Sequence, residues 1–303
     1  MDRYAVIGCP VAHSKSPLIH AQFAQQTAQD LSYGAVEVAA DALAATLARL
    51  HAEGWRGLNV TLPHKVAVAK LCEAVSERAA LAGAVNTLVR TDSGWSGDNT
   101  DGEGLIRDLR QNLGIVIAGM RVLVLGAGGA VRGILKPLLD EKPAELTVSN
   151  RNPWKPEELA EQFKAYGRIR PCTHLALKGD QFDLVINATS AGHVGGKLRL
   201  PAQVVAAGGI CYDLSYGEAF APFAAWARAE GAARVSDGLG MLVEQAAAAF
   251  EIWRGLRPET APVLAGLRAP GQPCGGGSET FTADGNPRRG TAQAESICGD
   301  SVD

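Results

Sequence analysis

Little in the composition favours a strongly charged partner or a membrane. The 303 residues carry 29 Lys and Arg against 32 Asp and Glu, a formal net charge of −3. The charge balance therefore gives no reason to expect nucleic acid or an anionic membrane surface as a partner. No apolar run approaches the roughly 20 residues that a bilayer-spanning helix needs, and the first residues lack the profile of a signal peptide. We expect a cytoplasmic protein that binds small molecules.

Metal-binding spacings are also missing. The six cysteines lie far apart and form no C-x-x-C pair, and no two histidines have H-x-H or H-E-x-x-H spacing. A zinc ribbon, a catalytic zinc site and a disulfide scaffold are therefore not expected. The sequence predicts no bound metal.

What the sequence does contain is an alternation of short apolar strands and helices. The predicted strands lie at 4–8, 33–38, 57–60, 84–90, 121–125, 145–149, 183–187 and 210–214. Helices are predicted between most of them, and a long Ala-rich helix follows Gly238. This alternation is typical of right-handed βαβ units, so the fold class is α/β with largely parallel sheets. The chain length suggests about two domains, with a second series of elements beginning near residue 101.

The last part of the chain, 268–303, has a different composition. It is rich in glycine, and its only large apolar residues are Phe281, Ile297 and Val302. Such a segment cannot bury enough apolar surface to offset the entropy lost on ordering. We predict that it is a disordered tail.

A glycine-rich loop follows the predicted strand at 121–125. It comprises Gly126, Ala127, Gly128, Gly129 and Ala130, and apolar residues at helical spacing come after it. Glycine lets the backbone turn sharply and approach a pyrophosphate, which then meets the free N–H groups of a helix N-terminus. Val131 occupies the third glycine position of the G-x-G-x-x-G pattern. A purely structural turn is the alternative, but the strand, loop and helix in succession favour dinucleotide binding.

The next strand indicates which dinucleotide binds. An NAD site usually has Asp or Glu at its end, where the carboxylate holds the ribose 2′-hydroxyl. Here the strand ends in Asn150 and Arg151, with Lys155 close behind. Two cations and no carboxylate suit a 2′-phosphate, so NADP is the predicted cofactor. Two exposed basic loop residues are the alternative interpretation.

Four polar segments stand out in the first domain, each after a strand or at the start of a helix. They are Ser14–Pro17, Asn59–Lys65, Asn86 and Asn99–Asp101. Ligand groups collect at such places in α/β sheets. The hydroxyl, amide, carboxylate and ammonium groups suit a small polyhydroxylated acid with one oxidisable carbon. Taken singly, each residue could instead cap a helix, end a strand or lie on the surface.

Seven motifs, in this order along the chain, resemble those of the shikimate dehydrogenases. They are V-A-H-S-K-S-P (11–17), N-V-T-L-P-H-K (59–65), G-A-V-N-T (83–87), N-T-D-G (99–102), G-A-G-G-A (126–130), N-R (150–151) and D-G-L-G-M-L-V-E-Q-A (237–246). The resemblance covers about residues 3 to 267. It implies a shikimate-binding domain formed by 1–100 and 238–267, a Rossmann-type NADP domain at 101–237, and an active site in the cleft between them. The tail, 268–303, is not covered.

The resemblance also implies roles for single residues. Lys65 and Asp101 resemble the catalytic pair. The implied substrate contacts are Ser14, Ser16, Thr61, Asn86, Tyr216 and Gln245. Besides the loop residues and the basic pair, the implied cofactor contacts are Glu77, Thr189, Leu214, Gly238 and Met241. Lys155 departs from the common pattern because arginine is frequent at that position.

The implied reaction is the reversible NADP-dependent reduction of 3-dehydroshikimate to shikimate, in the pathway to chorismate and the aromatic amino acids. Lys65 would exchange the proton, although the residues leave open whether Lys65 or Asp101 is the formal base. A dehydrogenase acting on both quinate and shikimate is the alternative closest in kind. A non-catalytic NADP-binding sensor and a methylene-folate dehydrogenase are further alternatives. The choice between a monomer and a homodimer stays open.

Overall fold

The computed structural model describes residues 1–189, 200–269 and 280–281. The chain forms two compact units. One comprises Met1–Thr100 together with the described residues from Ala246 onwards, and the other comprises Asp101–Gln245. The chain passes from one unit to the other between Thr100 and Asp101, and again between Gln245 and Ala246.

Within Met1–Thr100, strands and helices alternate as the periodicity predicts. They are β1 (Asp2–Gly8), α1 (Ser16–Gln26), β2 (Leu31–Glu37), α2 (Leu43–Ala52), β3 (Gly57–Val60), α3 (Lys65–Ala69), β4 (Ala74–Val75), α4 (Glu77–Ala82), β5 (Thr87–Arg90) and β6 (Trp95–Asp98).

The second unit begins with a helix and then alternates again. Its elements are α5 (Asp101–Arg107) with a π-helical turn at Asp108–Asn112, β7 (Arg121–Leu125), α6 (Gly129–Asp140), β8 (Glu145–Asn150), α7 (Trp154–Phe163), β9 (Ile169–Thr173), β10 (Phe182–Asn187), β11 (Val205–Asp213), α8 (Ala221–Ala229) and β12 (Arg234–Ser236). Helix α9 (Leu239–Arg254) runs across the second boundary, and α10 (Ala261–Arg268) and β13 (Thr280–Phe281) follow.

The first unit contains a mixed sheet in the order β13-β2-β1-β3-β5-β6-β4. Strand β1 is parallel to β2 and to β3. Strand β5, in contrast, is antiparallel to both β3 and β6. The sequence pattern predicts no strand at β6, which is only four residues long and contains Gly97. A side chain at Gly97 would lie 2.7 Å from Val85, so close packing requires the glycine that weakens the strand pattern.

The second unit contains a fully parallel sheet in the order β12-β11-β10-β7-β8-β9. The chain proceeds from β7 to β8 and β9 on one side, then continues from β10 to β12 on the other. Strand β7 is therefore next to the point where the strand order reverses, and ligands of open α/β sheets bind at the carboxyl ends of the strands there. The α/β fold class and the parallel character of this sheet confirm the prediction.

Apolar side chains cover the strands of both sheets. In the first unit, Ile7, Leu58 and Leu88 are fully buried in one cluster. In the second, Leu123 and Leu125 of β7 are fully buried in another. These clusters hold the strand ends, and hence the polar residues that follow them, in place.

The predicted disordered tail is only partly covered by the structure. Arg268 ends α10, and Thr280–Phe281 pairs in parallel with Ala35–Val36 of β2. A two-residue strand thus occurs within the segment predicted to be disordered, while 270–279 and 282–303 lie outside the described residues. No helix in the described part of the chain is long and apolar enough to cross a membrane.

Candidate active site

The polar residues of the first unit follow the parallel strands β1 and β3. Ser16 is the first residue of α1 and is buried, and its backbone N–H donates to Ser14 Oγ at 3.2 Å. Lys15, not Ser16, is the residue that precedes the helix, and no side chain caps it. Thr61 comes directly after β3, and its N–H donates to the carbonyl oxygen of Ile7 in β1 at 2.9 Å. The structure therefore links the segment after β3 to the end of β1, as expected for parallel neighbours.

Asn86 lies in a buried network at the start of β5. Its side-chain Nδ2 donates to Thr100 Oγ1 at 2.8 Å, and its Oδ1 accepts from the Thr100 N–H at 2.9 Å. Its backbone oxygen accepts from the Val60 N–H at 2.8 Å. Asn86 is therefore held on both sides of its amide and is tied to β3.

Lys65 begins the short helix α3 and is partly buried. Its backbone oxygen accepts from the N–H of Val85 at 2.8 Å, so the residue is tied to the segment that carries Asn86. His64, the preceding residue, is buried and bonds the Val38 carbonyl oxygen at 2.6 Å. His64 thus has a structural contact, whereas Lys65 lies at a helix start beside the polar network.

The glycine-rich loop of the second unit joins β7 to α6, as the sequence predicts. Gly126 has φ of 108°, in the region that favours glycine, and a side chain there would lie 3.0 Å from the Ala188 carbonyl oxygen. Gly128 precedes α6, whose first residue is Gly129. Val131 is fully buried on α6. Its position explains the departure from the glycine pattern, because this side chain packs into the core beneath the loop.

The residues after β8 form the candidate 2′-phosphate site. Asn150 ends β8 and its Nδ2 donates to the backbone oxygen of Asn152 at 3.3 Å. Arg151 is exposed, and Lys155 Nζ lies 5.5 Å from the ring centroid of Trp154. A cation–π contact of this kind holds an ammonium near a ring face. The site therefore presents two cations beside the carboxyl end of β8 and no carboxylate among residues 150–155.

Asp213, which lies in none of the sequence motifs, organises the loops after β10 and β11. Its Oδ2 accepts from Asn187 Nδ2 at 3.1 Å, and its Oδ1 accepts from the Ser215 N–H at 2.9 Å. Asn187 Oδ1 in turn accepts from Thr189 Oγ1 at 2.8 Å. Burial raises the pKa of Asp213 to about 6, although the Ser215 and Asn187 hydrogen bonds oppose this shift. The network fixes Thr189 and the backbone of Leu214, two of the cofactor candidates.

The remaining candidates lie at the start of α9 and before it. Gly238 packs so closely against the Leu214 carbonyl group that a side chain there would collide with it. Met241 and Gln245 are buried on α9, and Gln245 Nε2 donates to the Leu242 carbonyl oxygen at 2.9 Å. Tyr216 is partly buried after β11. This side-chain-to-backbone hydrogen bond satisfies part of the hydrogen-bonding capacity of the buried Gln245 amide.

A charged network between α5 and α9 was also missed from sequence. Tyr212 donates to Asp108 Oδ2 at 2.6 Å, and Asn112 donates to Asp108 Oδ1 at 2.9 Å. Arg107 pairs with the buried Glu244 at 3.0 Å. Asp108 and Glu244 are 0% and 1% exposed, so both carboxylates depend on these partners. Of these five network residues, Glu244 alone lies in one of the seven motifs. The residues bonded to one another come from distant parts of the chain, so no local pattern marks the network.

Close packing adds to this link between the two helices. A side chain on Gly104 of α5 would lie 2.6 Å from Gln245 Cβ and 2.9 Å from the Met241 carbonyl oxygen. Asp101, the first residue of α5, is 3% exposed. The helix that carries Asp101 is therefore packed directly against the one that carries Gln245.

The candidates divide between the two units. Ser14, Ser16, Thr61, Lys65 and Asn86 belong to the first. Asp101, Tyr216, Gln245 and the loop after β7 belong to the second, as do all cofactor candidates except Glu77. Glu77 is the exposed first residue of α4 in the first unit. Within residues 1–189, 200–269 and 280–281, no cluster of three or more His, Cys, Asp or Glu could hold a metal ion.

The parallel sheet and the glycine loop after β7 have the arrangement of a dinucleotide-binding domain. Three family descriptions match the chain in order: the shikimate dehydrogenase substrate binding domain at residues 6–88, shikimate / quinate 5-dehydrogenase at 109–195, and the shikimate 5′-dehydrogenase C-terminal domain at 238–268. The shikimate dehydrogenase (NADP(+)) of Methylobacillus flagellatus is 53% identical over 276 residues, which are 89% of this chain and 100% of that protein.

Solved structures agree with these matches. An Ael1 enzyme from Pseudomonas putida matches with a TM-score of 0.81 and 46% identity, over 89% of this chain and 99% of that one. Shikimate 5-dehydrogenase from Thermus thermophilus, in complex with NADP(H) and shikimate, matches with a TM-score of 0.77 and 35% identity over 88% of this chain and 99% of that one. The chain belongs to the shikimate dehydrogenase (NADP(+)) family, which confirms the resemblance found in the motifs.

Proposed function

We propose that this protein catalyses the reversible NADP-dependent reduction of 3-dehydroshikimate to shikimate, a step in the pathway to chorismate and the aromatic amino acids. The observation that carries the proposal is its membership of the shikimate dehydrogenase family along nearly the whole of each relative's length. The polar groups of the first unit and the loop of the second add chemical support. They supply hydroxyls and amides for a polyhydroxylated acid and a backbone turn for a pyrophosphate.

The substrate is held by the residues that follow β1, β3 and the start of β5. Ser14 and Ser16 bind the carboxylate, since both hydroxyls lie at the start of α1 and the Ser16 N–H already orients Ser14. Thr61 and Asn86 bind substrate hydroxyls from the first unit, and Tyr216 and Gln245 do so from the second. Neutral side chains suit the substrate hydroxyls, because a hydroxylated ring is recognised by directed hydrogen bonds and carries no charge at those positions.

The chemical step needs one proton and one hydride. When bound, NADPH supplies the hydride that reduces the carbonyl carbon. Lys65 gives a proton to the carbonyl oxygen, which becomes the shikimate hydroxyl, and takes it back in the oxidation direction. Asp101 orients the Lys65 ammonium and binds a substrate hydroxyl. The group that acts as the formal base is one of these two.

The cofactor is held by the loop Gly126–Ala130, by Asn150, Arg151 and Lys155 at its 2′-phosphate, and by a further group at the nicotinamide end. That group is Glu77, Thr189, Leu214, Gly238 and Met241. The lack of a side chain at Gly126 keeps the loop close to Ala188, which leaves the backbone N–H groups of α6 for the pyrophosphate.

Arg151→Ala is expected to lower kcat/KM for NADP about 10- to 100-fold, because a charged hydrogen bond to phosphate is lost. The value for NAD should change little, since NAD has no 2′-phosphate. Initial rates with each cofactor at saturating shikimate measure the ratio. Arg168→Ala, which removes an exposed arginine of the same unit, is the matched control. An equal loss for NADP and NAD would assign Arg151 to the shared adenosine part.

The reaction itself is tested with purified protein by following reduced nicotinamide, with shikimate and quinate each paired with NADP and NAD. Rapid turnover with shikimate and NADP alone is expected. Comparable turnover with quinate would identify a dual-specificity enzyme, an alternative that the family description shikimate / quinate 5-dehydrogenase keeps open. NADP binding without any turnover would instead support a sensor.

The location of the protein in the cell and its oligomeric state can each be tested. A cytoplasmic location is consistent with a biosynthetic reaction that draws on NADPH, and cell fractionation tests it. Sedimentation equilibrium distinguishes a monomer from a homodimer.

A further inference from the structure

A histidine outside the seven motifs, His174, lies beside the cationic end of β8. Strands β8 and β9 are parallel neighbours, and their last paired residues are Asn150 and Thr173. Arg151 and His174 directly follow these two residues. Because paired strands are about 5 Å apart, the fold brings the residue that carries the imidazole next to the one that carries the guanidinium.

A hydrogen bond holds the imidazole towards β8. His174 is 9% exposed and begins a short 3₁₀ turn, His174–Leu177. Its Nδ1 lies 2.9 Å from Oγ of the fully buried Ser149 in β8. This bond uses Nδ1, so Nε2 is the ring nitrogen left for a further interaction.

Arg151 is close enough to act on this ring through its charge. Burial lowers the pKa of His174, and the positive charge of Arg151 lowers it further. Among the described residues, Arg151 is the one charged group with such an effect on His174. The imidazole is therefore mostly neutral at pH 7, because its pKa lies below the ordinary value of about 6.5.

Other titratable groups of the neighbouring elements do not supply a free negative charge to the ring. Cys172, two residues earlier in β9, is neutral because burial raises its pKa. The charged groups of β9, of α7, which packs against β9, and of the turn are paired or exposed: Arg170 with Glu145 and Asp180, Glu158 with Arg132, Glu161 with Lys164, and the exposed Glu157 and Lys178.

A phosphate bound at Arg151 reverses the electrostatic effect on His174. A phosphate monoester carries a charge of about −1.5 to −2 at pH 7, and a negative charge near an imidazole favours the protonated form. The proton comes from solvent and adds a third positive charge to those of Arg151 and Lys155. NAD has a hydroxyl in place of this phosphate and therefore does not favour the protonation.

We propose that His174 is a specificity-determining residue of the cofactor site, which takes up a proton when the 2′-phosphate of NADP binds and thereby favours NADP over NAD. The proposal rests on the proposed function for the position of the 2′-phosphate beside Arg151. Because the complex has the higher pKa, the gain in affinity is complete below the pKa of the free protein. It is lost as the pH rises through the pKa of the complex.

His174→Asn tests the proposal, because the asparagine amide keeps a polar atom near the place of Nδ1 for Ser149 but does not titrate. Calorimetry at pH 6.5 and pH 8.5 measures the dissociation constants of NADP and NAD. The variant should bind NADP about three- to tenfold more weakly than the wild type at pH 6.5, and within about a factor of two of it at pH 8.5. Its affinity for NAD should stay within about a factor of two at both pH values.

His51→Gln is the matched control, because it removes a histidine of the first unit and keeps a polar atom for the Thr91 carbonyl oxygen. It should match the wild type throughout. The 2′-phosphate itself titrates near pH 6, and comparing proteins at the same pH removes that contribution. A merely structural role for His174 would weaken NADP and NAD binding alike at both pH values. That pattern, or equal NADP affinity of His174→Asn and the wild type at pH 6.5, would overturn the proposal.

Proton uptake is a second readout, and it does not depend on turnover. Titration with NADP at pH 6.5 in PIPES and in bis-Tris, which differ in ionisation enthalpy, counts the protons exchanged with the buffer. The wild type should take up at least about 0.3 proton more than His174→Asn, and an equal count would overturn the proposal. Greater uptake by the wild type without turnover of shikimate would count against the proposed function and leave the role of His174 in place. A wild-type protein that does not bind NADP would overturn both.

Discussion

Lys65→Ala is expected to lower kcat for shikimate oxidation about 10²- to 10⁴-fold, the usual contribution of general acid–base catalysis. KM for shikimate should change much less, because the carboxylate and hydroxyl contacts remain. Steady-state rates at saturating shikimate and NADP measure the change. The structure supports the choice of residue, since Lys65 starts α3 and its backbone is bonded to Val85, next to Asn86.

A neighbouring lysine supplies the control. Lys70 is exposed at the end of the same helix, so Lys70→Ala removes the same charge from α3 without reaching the polar network. Its kcat should match that of the wild type. A Lys65→Ala enzyme within a factor of a few of wild-type kcat would remove Lys65 from the chemistry and leave Asp101 as the candidate base.

Acid is expected to destabilise the protein through His20. Burial lowers the pKa of this histidine to about 3, whereas the unfolded value is about 6.5. Because the folded-state pKa is the lower one, the contribution of neutral His20 to stability is complete above about pH 6.5 and is lost as the pH falls towards 3. The full loss corresponds to about 5 kcal/mol, of which about 2 kcal/mol falls between pH 6.5 and 5.

Urea unfolding at pH 7 and pH 5 measures this loss, with His20→Phe as the comparison. The His20 ring stacks on Tyr33 with centroids 4.1 Å apart. Phenylalanine keeps a ring at this position and has no proton to gain. At pH 7 the variant should be about as stable as the wild type, because neither ring nitrogen of His20 has a partner with normal hydrogen-bond geometry among the described residues, and Asn59 has only the smaller, opposing effect on the His20 pKa. Equal pH dependence in His20→Phe and the wild type would show that His20 does not titrate in this way.

Local patterns predicted the second unit well. The strand at 121–125 has the bounds of β7, and the glycine loop leads into α6 as expected. These signals are each contained within a few consecutive residues: an apolar strand, a required turn and an apolar helix face. The position of Arg151 was likewise predictable, because Arg151 directly follows the last residue of β8.

Other parts of the fold could not be predicted because they depend on neighbours in space. The sequence pattern did not predict β4, β6, β9 and β12. Each of these strands has at most five residues. Such short strands form because neighbouring strands pair with them, and their own sequence pattern is too short to indicate a strand. The antiparallel insertion of β5 beside β3 was missed for the same reason. Asp213 lies at the end of a predicted strand and in no motif, so the sequence did not mark it. Its structural role comes from its hydrogen bonds with Asn187 and Ser215, which join the loops after β10 and β11.

For this protein, the sequence by itself determined the α/β class, the glycine-rich loop between β7 and α6, the cationic end of β8 and the family to which the motifs belong. Each of these follows from side-chain types at short, fixed spacings. Only the tertiary structure decided which buried polar groups hold one another. Tyr33 and Thr87 are both hydrogen-bonded to Asn59, and Asp108 and Glu244 share a network with Tyr212 and Asn112. The physical reason is that a buried hydrogen bond depends on the direction and distance of two groups, and the fold brings those groups together from positions far apart in the chain.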